Sequence, residues 1–217
     1  EGLINSGKCL GVWFALPCNS WSTSRRHDGT GAPPLRDAKH IYGLPTLKGK
    51  SARNVAEANM LIRRTAQLAT TCILMRIPFC TENPYHSMAW STLELKHLAP
   101  LPGVRTTRVD FCQYGEEYHK KTKLMSYGFA EIDAIGRRCT GKGGLCSRTG
   151  KPHELLSGAV ECPPDKLHLV EGCVRCPGKG VKPRPVARLA KPSPIMIWKA
   201  KLAEPYPYEL CDAMAEM

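Results

Sequence analysis

The first half of the chain alternates between short apolar runs and one long amphipathic segment. Residues 8–16 (KCLGVWFAL) form an apolar run that stops at Pro17, which predicts a buried strand of a parallel sheet. A polar, Gly- and Pro-rich loop over residues 19–50 follows, and Ser51 is a good N-cap for a long helix. Residues 77–81 predict the next strand. Apolar residues recur at helical spacing between the two strands, at Val55, Ala58, Ile62, Ala66, Ala69 and Ile73.

This order of strand, helix and strand predicts an α/β crossover in a parallel sheet. Residues 104–114 and 123–129 predict two further strands, joined by a basic loop. From Gly136 to Lys191 the chain is rich in Cys, Gly and Pro and has little periodicity, and residues 209–217 predict a C-terminal helix. We therefore divide the chain into an α/β domain (1–135), an irregular insert (136–191) and a C-terminal segment that packs back on the first part (192–217).

The charge of the chain points to a polyanionic partner. Lys and Arg number 31 against 19 Asp and Glu, a formal net charge of +12, and such an excess favours nucleic acid through counterion release. A basic soluble protein without such a ligand is the alternative. No run approaches the roughly 20 apolar residues that a membrane helix needs. The 11 cysteines are odd in number and come without an export signal, so we expect a nuclear or cytoplasmic protein, not a secreted one.

A cysteine at the end of the first predicted strand is a candidate nucleophile. Pro17-Cys18 follows the apolar run directly, and catalytic groups of doubly wound sheets lie at the carboxyl ends of strands. Arg25, Arg26 and His27 could lower the pKa of this thiol. The alternative is that Cys18 is a small buried residue at a strand end.

The second predicted strand ends in a candidate acid. Glu82-Asn83-Pro84 follows it, and a carboxylate at the same sheet edge as a thiol can act as a general acid or base. Asn-Pro is also a common turn dipeptide, so a simple turn is the alternative.

Together these segments resemble the catalytic motifs of cytosine-5 DNA methyltransferases. Cys18 and Ser22 match that family's Pro-Cys-x-x-x-Ser loop, and Glu82 and Asn83 match its Glu-Asn dipeptide. Pro84 stands where the family has valine, as in divergent enzymes of phages, mobile elements and protists. The resemblance implies a partial Rossmann-like methyltransferase sheet with a Cys/Gly/Pro-rich irregular insert and a C-terminal helix.

The resemblance also implies a mechanism. The target cytosine is flipped out of DNA, with RNA as the alternative substrate. Cys18 adds to ring carbon 6, Glu82 holds or protonates nitrogen 3, and Asn83 fixes the Cys18 loop. S-adenosylmethionine donates the methyl group to carbon 5. The strands that hold most of this cofactor are expected upstream of residue 1, so a fragment without them should bind it poorly.

Further residues are assigned by the same resemblance. Lysines occupy positions 121 and 123, where the family usually has arginines that contact the target base. The implied substrate-binding residues are Ser22, Arg25, Arg26, Lys121 and Lys123. The implied cofactor-binding residues are Pro17, Asn83, Pro84, Tyr206 and Pro207.

The Cys-rich insert predicts a structural zinc site. Cys173 and Cys176 form a Cys-x-x-Cys pair, and Cys139 and Cys146 are the other two ligands that we select. Zinc would rigidify a segment with few apolar residues. His153, Cys162 and His168 are further candidates, and unligated loop cysteines are the alternative.

Two other functions compete with the methyltransferase. One is a non-catalytic basic nucleic-acid-binding module with structural zinc, in which Cys18 is incidental. The other is a cysteine hydrolase that uses Cys18 with His27 or His86, for which the sequence offers no orienting residue.

Overall fold

The computed structural model describes residues 1–25, 32–156, 159–161, 196–198 and 205–216. The fold is mixed α/β, built on a four-stranded mixed sheet. The strands are β1 (Val12–Ala15), β2 (Phe79–Pro84), β3 (Val104–Asp110), β4 (Lys121–Tyr127), β5 (Ala159–Glu161) and β6 (Met196–Trp198). The α-helices are α1 (Gly2–Asn5), α2 (Gly49–Leu74), α3 (Leu93–Leu98) and α4 (Tyr208–Ala215), and 3₁₀ helices span Met88–Ser91 and Phe111–Tyr114.

The predicted crossover is present. β1 and β2 pair in parallel, from Val12 opposite Phe79 to Ala15 opposite Glu82, and α2 connects them. The expected N-cap was wrong, because α2 begins at Gly49 and places Ser51 inside its first turn. Lys48 already has the extended backbone of an N-cap (φ −134°, ψ 162°) and makes no side-chain capping bond.

One face of α2 packs against the sheet as the periodicity predicts. Ile62 and Ala69 are fully buried on the helix, and Phe79 is fully buried on β2. They join one apolar core with Phe14 and Met125 from neighbouring strands. Burying large side chains in this way contributes about 1.5–3 kcal/mol each, so α2 holds the β1–β2 pair together.

The sheet is mixed and not purely parallel as expected. Its order is β1-β2-β4-β3, and β4 runs antiparallel to both β2 and β3. Residues 111–120 are too few for a crossover, since parallel neighbours need about a dozen or more connecting residues. β3 therefore returns through a short connection, and β4 inserts beside β2.

The opposite face of the sheet carries a second core. Leu124 and Val109 are buried on it, and Leu210 of α4 packs against them, so the C-terminal segment returns to the sheet. β5 and β6 form a separate antiparallel ribbon. No helix in the described part of the chain combines the length and the apolar character that crossing a bilayer requires.

Candidate functional site

The two candidate catalytic segments lie at the carboxyl ends of neighbouring parallel strands. Ala15 lies opposite Glu82, and Cys18 comes three positions after Ala15. Glu82 and Asn83 are inside β2 and pair with β4, so this segment is strand and not a turn. Because the carboxyl ends of parallel strands meet at one edge of a sheet, the Cys18 loop and the Glu82-Asn83 dipeptide share that edge.

Asn83 joins the two segments directly. Its side chain is fully buried, and Nδ2 donates a hydrogen bond of 2.9 Å to the carbonyl of Leu16. Leu16 is the first residue after β1, where the strand ladder ends and its carbonyl needs another donor. Asn83 Oδ1 has no hydrogen-bond partner within the described residues. The bond fixes the backbone that leads into Pro17-Cys18.

A buried arginine supports the other side of the Cys18 loop. The Arg36 guanidinium lies 3.4 Å from the centroid of the Trp21 ring. It donates to the Ser20 carbonyl at 3.2 Å, and to the carbonyls of Ile41 and Val55 at 2.7 and 3.3 Å. Burial lowers the pKa of Arg36 to about 10. This cation therefore ties the loop after Cys18 to α2.

Glu82 points away from Asn83, because successive side chains of a strand alternate between faces. Burial raises the pKa of the Glu82 carboxyl, and the positive charge of Lys120 and hydrogen bonding to Tyr206 only partly offset that rise. Trp13 Nε1 donates to the Tyr206 hydroxyl oxygen at 3.2 Å. Glu82 Oε2 has no hydrogen-bond partner in the described part of the chain. A half-buried carboxyl of raised pKa is suited to donate a proton.

The predicted lysines lie on the other face of the sheet. Lys123 lies opposite Asn83 on β4 and therefore shares the face of Asn83. Lys121 lies two positions earlier on β4, so it shares this face as well. Lys120 is the cation whose charge acts on Glu82. Lys120 lies four positions before Leu124, the residue opposite Glu82, and so belongs to the Glu82 side of this strand. The sequence alone does not reveal this, because it requires the pairing register of β2 and β4.

The predicted substrate-binding residues of the Cys18 loop are used partly within the loop. Arg25 donates from Nε to the Asn19 carbonyl at 2.9 Å and from Nη1 to the Pro33 carbonyl at 3.0 Å. Ser22 Oγ accepts from the Ser24 amide at 3.2 Å. Arg26 and His27 lie outside the described residues.

The predicted cofactor-binding residues are spread over the sheet edge and the C-terminal segment. Pro17 is exposed, and Pro84 is half-buried opposite Thr122. Tyr206 packs edge-on against Trp13 with a centroid distance of 5.8 Å. Pro207 is buried and is the N-cap of α4.

A compact Cys3His cluster lies beside the end of β3. The ligand atoms of Cys112, Cys139, Cys146 and His153 all lie within 4.8 Å of one another. Zinc–thiolate bonds of about 2.3 Å in a tetrahedron place sulfurs about 3.8 Å apart, so a small contraction closes the site. The cluster could hold a metal such as zinc.

The imidazole of His153 is oriented as a metal ligand requires. Nδ1 lies 2.9 Å from the carbonyl of Gly144, an acceptor, so Nδ1 carries the proton and Nε2 presents its lone pair. Nε2 is the atom that faces Cys139 Sγ, at 3.6 Å. A backbone carbonyl that fixes the tautomer of a ligating histidine is a typical outer-shell contact.

Backbone amides surround two of the thiols. Burial raises the pKa of Cys139, but the N–H groups of Ser147 and Gly141 outweigh it and lower that pKa. In the same way the amides of Thr149 and Arg148 bring the pKa of Cys146 to about 7. Burial raises the pKa of Cys112 to about 12. Gly141 permits the tight loop, because a Cβ there would overlap the Leu145 carbonyl.

Two of the four predicted metal ligands are members of this cluster. Cys139 and Cys146 belong to it, whereas Cys173 and Cys176 lie outside the described residues, as do Cys162 and His168. His153 was a further candidate. Cys112 was missed, because it precedes Cys139 by 27 residues and lies outside the Cys-rich insert. Its position just after β3 brings it to the cluster only in the folded protein.

Comparison with family models, with curated proteins and with solved structures finds no match to this chain.

Proposed function

We propose that this chain carries the base-activating part of a DNA cytosine-5 methyltransferase site. The observation that carries the proposal is the Asn83–Leu16 hydrogen bond, which ties the Glu82-Asn83 dipeptide to the Pro17-Cys18 loop. The two motifs lie 64 positions apart, from Cys18 to Glu82, and adjacent parallel strands bring them to one edge.

The proposed chemistry is an addition to the pyrimidine ring. The Cys18 thiolate forms a bond to carbon 6 while the protonated Glu82 carboxyl donates to nitrogen 3. The electron pair displaced from the ring double bond makes carbon 5 nucleophilic. Without a methyl donor, carbon 5 takes a proton from water and then gives its original proton to the hydroxide that remains. The thiolate departs as nitrogen 3 returns its proton to the Glu82 carboxylate. Cytosine is regenerated with a solvent hydrogen at carbon 5.

The environment of Glu82 supports this role. Its raised pKa keeps a larger fraction of the carboxyl protonated near neutral pH than an exposed glutamate has. Oε2 is buried and has no hydrogen-bond partner among the described residues, so one acceptor of this carboxyl is unsatisfied within the protein. Lys120 supplies a positive charge that favours the carboxylate formed after proton transfer.

The methyl donor that the resemblance implies is S-adenosylmethionine, which supplies an electrophilic methyl group to carbon 5. In methyltransferase-like sheets a strand runs directly into a glycine-rich helix start that holds such a cofactor. No strand within the described ranges does so. These residues do not by themselves form the cofactor cradle, and the proposal is confined to activation of the base.

We also assign zinc to the Cys3His cluster, with a structural role. Three thiols and an imidazole with a fixed tautomer match the ligand preference of zinc. Four protein ligands leave no open position for substrate, which is the pattern of structural zinc sites.

Exchange of the carbon-5 hydrogen tests the base-activating role without a methyl donor. The chain is incubated with DNA that contains 5-tritiated cytosine, and release of tritium to water is measured. We expect release by the wild-type chain, no release by C18S, and at least tenfold slower release by E82Q. C9S is the matched control, because Cys9 lies before β1, and it should behave as wild type. Equal release by wild type and C18S, or none by either, would refute the proposal.

A non-catalytic nucleic-acid-binding module is the second candidate, favoured by the closed Cys3His cluster and the net charge of +12. DNA binding that survives C18S while wild type shows no exchange would establish this alternative.

A further inference from the structure

Two cations lie directly opposite each other in the sheet. Arg108 on β3 pairs with Lys123 on β4, and Lys123 in turn lies opposite Asn83 on β2. Like charges at directly opposed positions destabilise a sheet. Both cations are half-buried at the edge next to the candidate catalytic site. Asp110 forms an ion pair with Arg108, whereas Lys123 has no ion pair among the described residues and can take an anionic partner.

One aromatic ring, that of Tyr85, lies near both cations. The Arg108 guanidinium is 5.1 Å from the centroid of the Tyr85 ring, and the Lys123 ammonium is 5.4 Å from it. Lys123 is also 5.0 Å from the Trp90 ring. Tyr85 comes one residue after the end of β2. We name Tyr85, Trp90, Arg108 and Lys123 the cationic–aromatic face.

One edge of the Arg108 guanidinium remains available. Nε and Nη2 donate to the two oxygens of Asp110, at 2.7 and 2.6 Å. Nη1 has no hydrogen-bond partner in the described parts of the chain. A guanidinium edge, an ammonium and a half-buried ring are the groups that bind phosphate oxygens and stack a base.

We propose that the cationic–aromatic face binds the DNA strand that flanks the target cytosine, and that the metal centre positions Arg108 for this contact. The proposal rests on the proposed function for the identity of its ligand. Arg108 and Lys123 contact phosphates, and Tyr85 stacks on a neighbouring base. None of these residues touches the reacting atoms.

Asp110 connects the face to the metal centre. It is fully buried, and besides Arg108 it accepts from the backbone amide of Cys139 at 2.8 Å and lies 3.0 Å from His119 Nε2. The His119 ring stacks on the His153 ring at 4.7 Å. One metal ligand, Cys139, thus donates to Asp110 directly, and another, His153, packs on the His119 ring that contacts Asp110. A metal that fixes Cys139 and His153 also fixes the carboxylate that orients Arg108, so Asp110 is a positioning residue.

The face is tested by the salt dependence of DNA binding. Binding of a fluorescent single-stranded DNA oligonucleotide with one cytosine is measured at several NaCl concentrations. We expect R108Q and K123Q each to weaken binding about fivefold or more and to reduce the salt slope by about 1. Y85A should weaken binding by about tenfold with an unchanged slope, because stacking is not ionic. R53Q is the matched control, since Arg53 is an exposed cation on α2. Wild-type binding and slope in R108Q and K123Q would overturn the proposal.

The proposed link between the metal and Arg108 is tested by measuring DNA binding of wild type and R108Q, each with and without zinc. Removing zinc from wild-type protein should weaken binding about as much as R108Q does, and R108Q should lose little more when zinc is removed. Additive losses in the two steps would overturn the link. D110N should reproduce the effect of R108Q on the salt slope. R108Q and zinc removal act on different groups, so a folding defect of D110N does not decide the result.

These outcomes are separable from those of the proposed function. Binding uses C18S protein as well as wild type, so it requires no chemistry at Cys18. If tritium exchange is absent while R108Q and K123Q still lower the salt slope, the base-activating role fails and the face stands. If exchange occurs and these variants bind as wild type, the face fails alone. An RNA oligonucleotide that binds at least tenfold more tightly than DNA of the same sequence would overturn the assignment of DNA.

Discussion

The side-chain amide of Asn83 donates a 2.9 Å hydrogen bond to the backbone carbonyl of Leu16, across the boundary between β2 and the loop that contains Cys18. Both residues are buried, and Asn83 is fully so. A buried carbonyl without a donor is costly, so the bond holds the start of the loop against the sheet. The same residue also follows Glu82 directly. One amide therefore couples the position of the candidate nucleophile to that of the candidate acid.

Replacing Asn83 by alanine should loosen the Cys18 loop. N83A leaves the Leu16 carbonyl unpaired and should lower the free energy of unfolding by about 1–3 kcal/mol. Alkylation of Cys18 by iodoacetamide, followed on its own peptide by mass spectrometry, should become faster at low denaturant. N54A on α2 is the control and should alter neither quantity. Unchanged stability and unchanged Cys18 alkylation in N83A would contradict this role.

The local pattern predicted the β1–α2–β2 unit well for a physical reason. The 3.6-residue periodicity from Val55 to Ala69 reports burial directly. The apolar run over residues 8–16 predicted a buried strand, and this was wrong: β1 is an edge strand of its sheet and alternates between half-buried and exposed residues, and Leu10 is 94% exposed. The N-cap was misplaced by three residues, because Ser51 has capping chemistry but Lys48 has the capping backbone. Element ends depend on tertiary contacts and are less well encoded locally.

The parts of the candidate site that depend on the ends of strands could be predicted from the sequence. The parts that depend on the pairing register of the strands could not. Cys18 follows the end of β1, and Glu82 lies inside β2 near its carboxyl end, so the predicted order of strands was enough to bring them to one edge. The charge of Lys120, in contrast, acts on Glu82 because β4 runs antiparallel to β2 with Leu124 opposite Glu82. The expected parallel sheet did not contain this strand pair. Cys112 entered the metal cluster for a similar reason, since β3 carries it to Cys139 from a distant part of the chain.

Glu82 should make the stability of the protein depend on pH. Its pKa in the folded state is raised above the ordinary value of 4.5, chiefly by burial. The folded state therefore holds the proton more tightly than the unfolded chain does. This contribution to stability is fully present below pH 4.5 and is lost as pH rises through the raised pKa.

Urea unfolding of wild type and E82Q between pH 4.5 and pH 8 measures this contribution. E82Q should gain stability relative to wild type as pH rises, because glutamine has no charge to bury. E131Q, at an exposed glutamate, should show a constant difference from wild type. A constant difference for E82Q as well would mean that burial does not shift its proton equilibrium.

The Cys3His cluster should bind one zinc ion per chain and depend on all four ligands. C146S and H153A should each lose the metal, as measured by native mass spectrometry, and should lower the free energy of unfolding by about 4 kcal/mol or more. C211S, at a half-buried cysteine of α4 outside the cluster, should keep it. Cobalt bound in place of zinc should give a thiolate charge-transfer band in wild type and C211S alone. Full zinc content in H153A would show that this histidine is not a ligand.

Arg36 should be among the most sensitive positions of the fold, although its hydrogen bonds in the described part of the chain go to Ser20, Ile41, Val55 and Asn59 and not to a candidate catalytic side chain. Its guanidinium donates to the carbonyls of Ser20, Ile41 and Val55, and all of its hydrogen-bond acceptors among the described residues are uncharged. R36M leaves these three carbonyls without their donor and should lower the free energy of unfolding by about 3 kcal/mol or more. R36K should recover only part of the loss, because one ammonium cannot replace a planar fork of donors. Urea unfolding measures both variants, with R53Q as the exposed control. Equal stability of R36M and R53Q would show that the Trp21 stacking and the hydrogen bonds of Arg36 give no net stabilisation. The cost of desolvating this cation, whose pKa falls to about 10, would then cancel them.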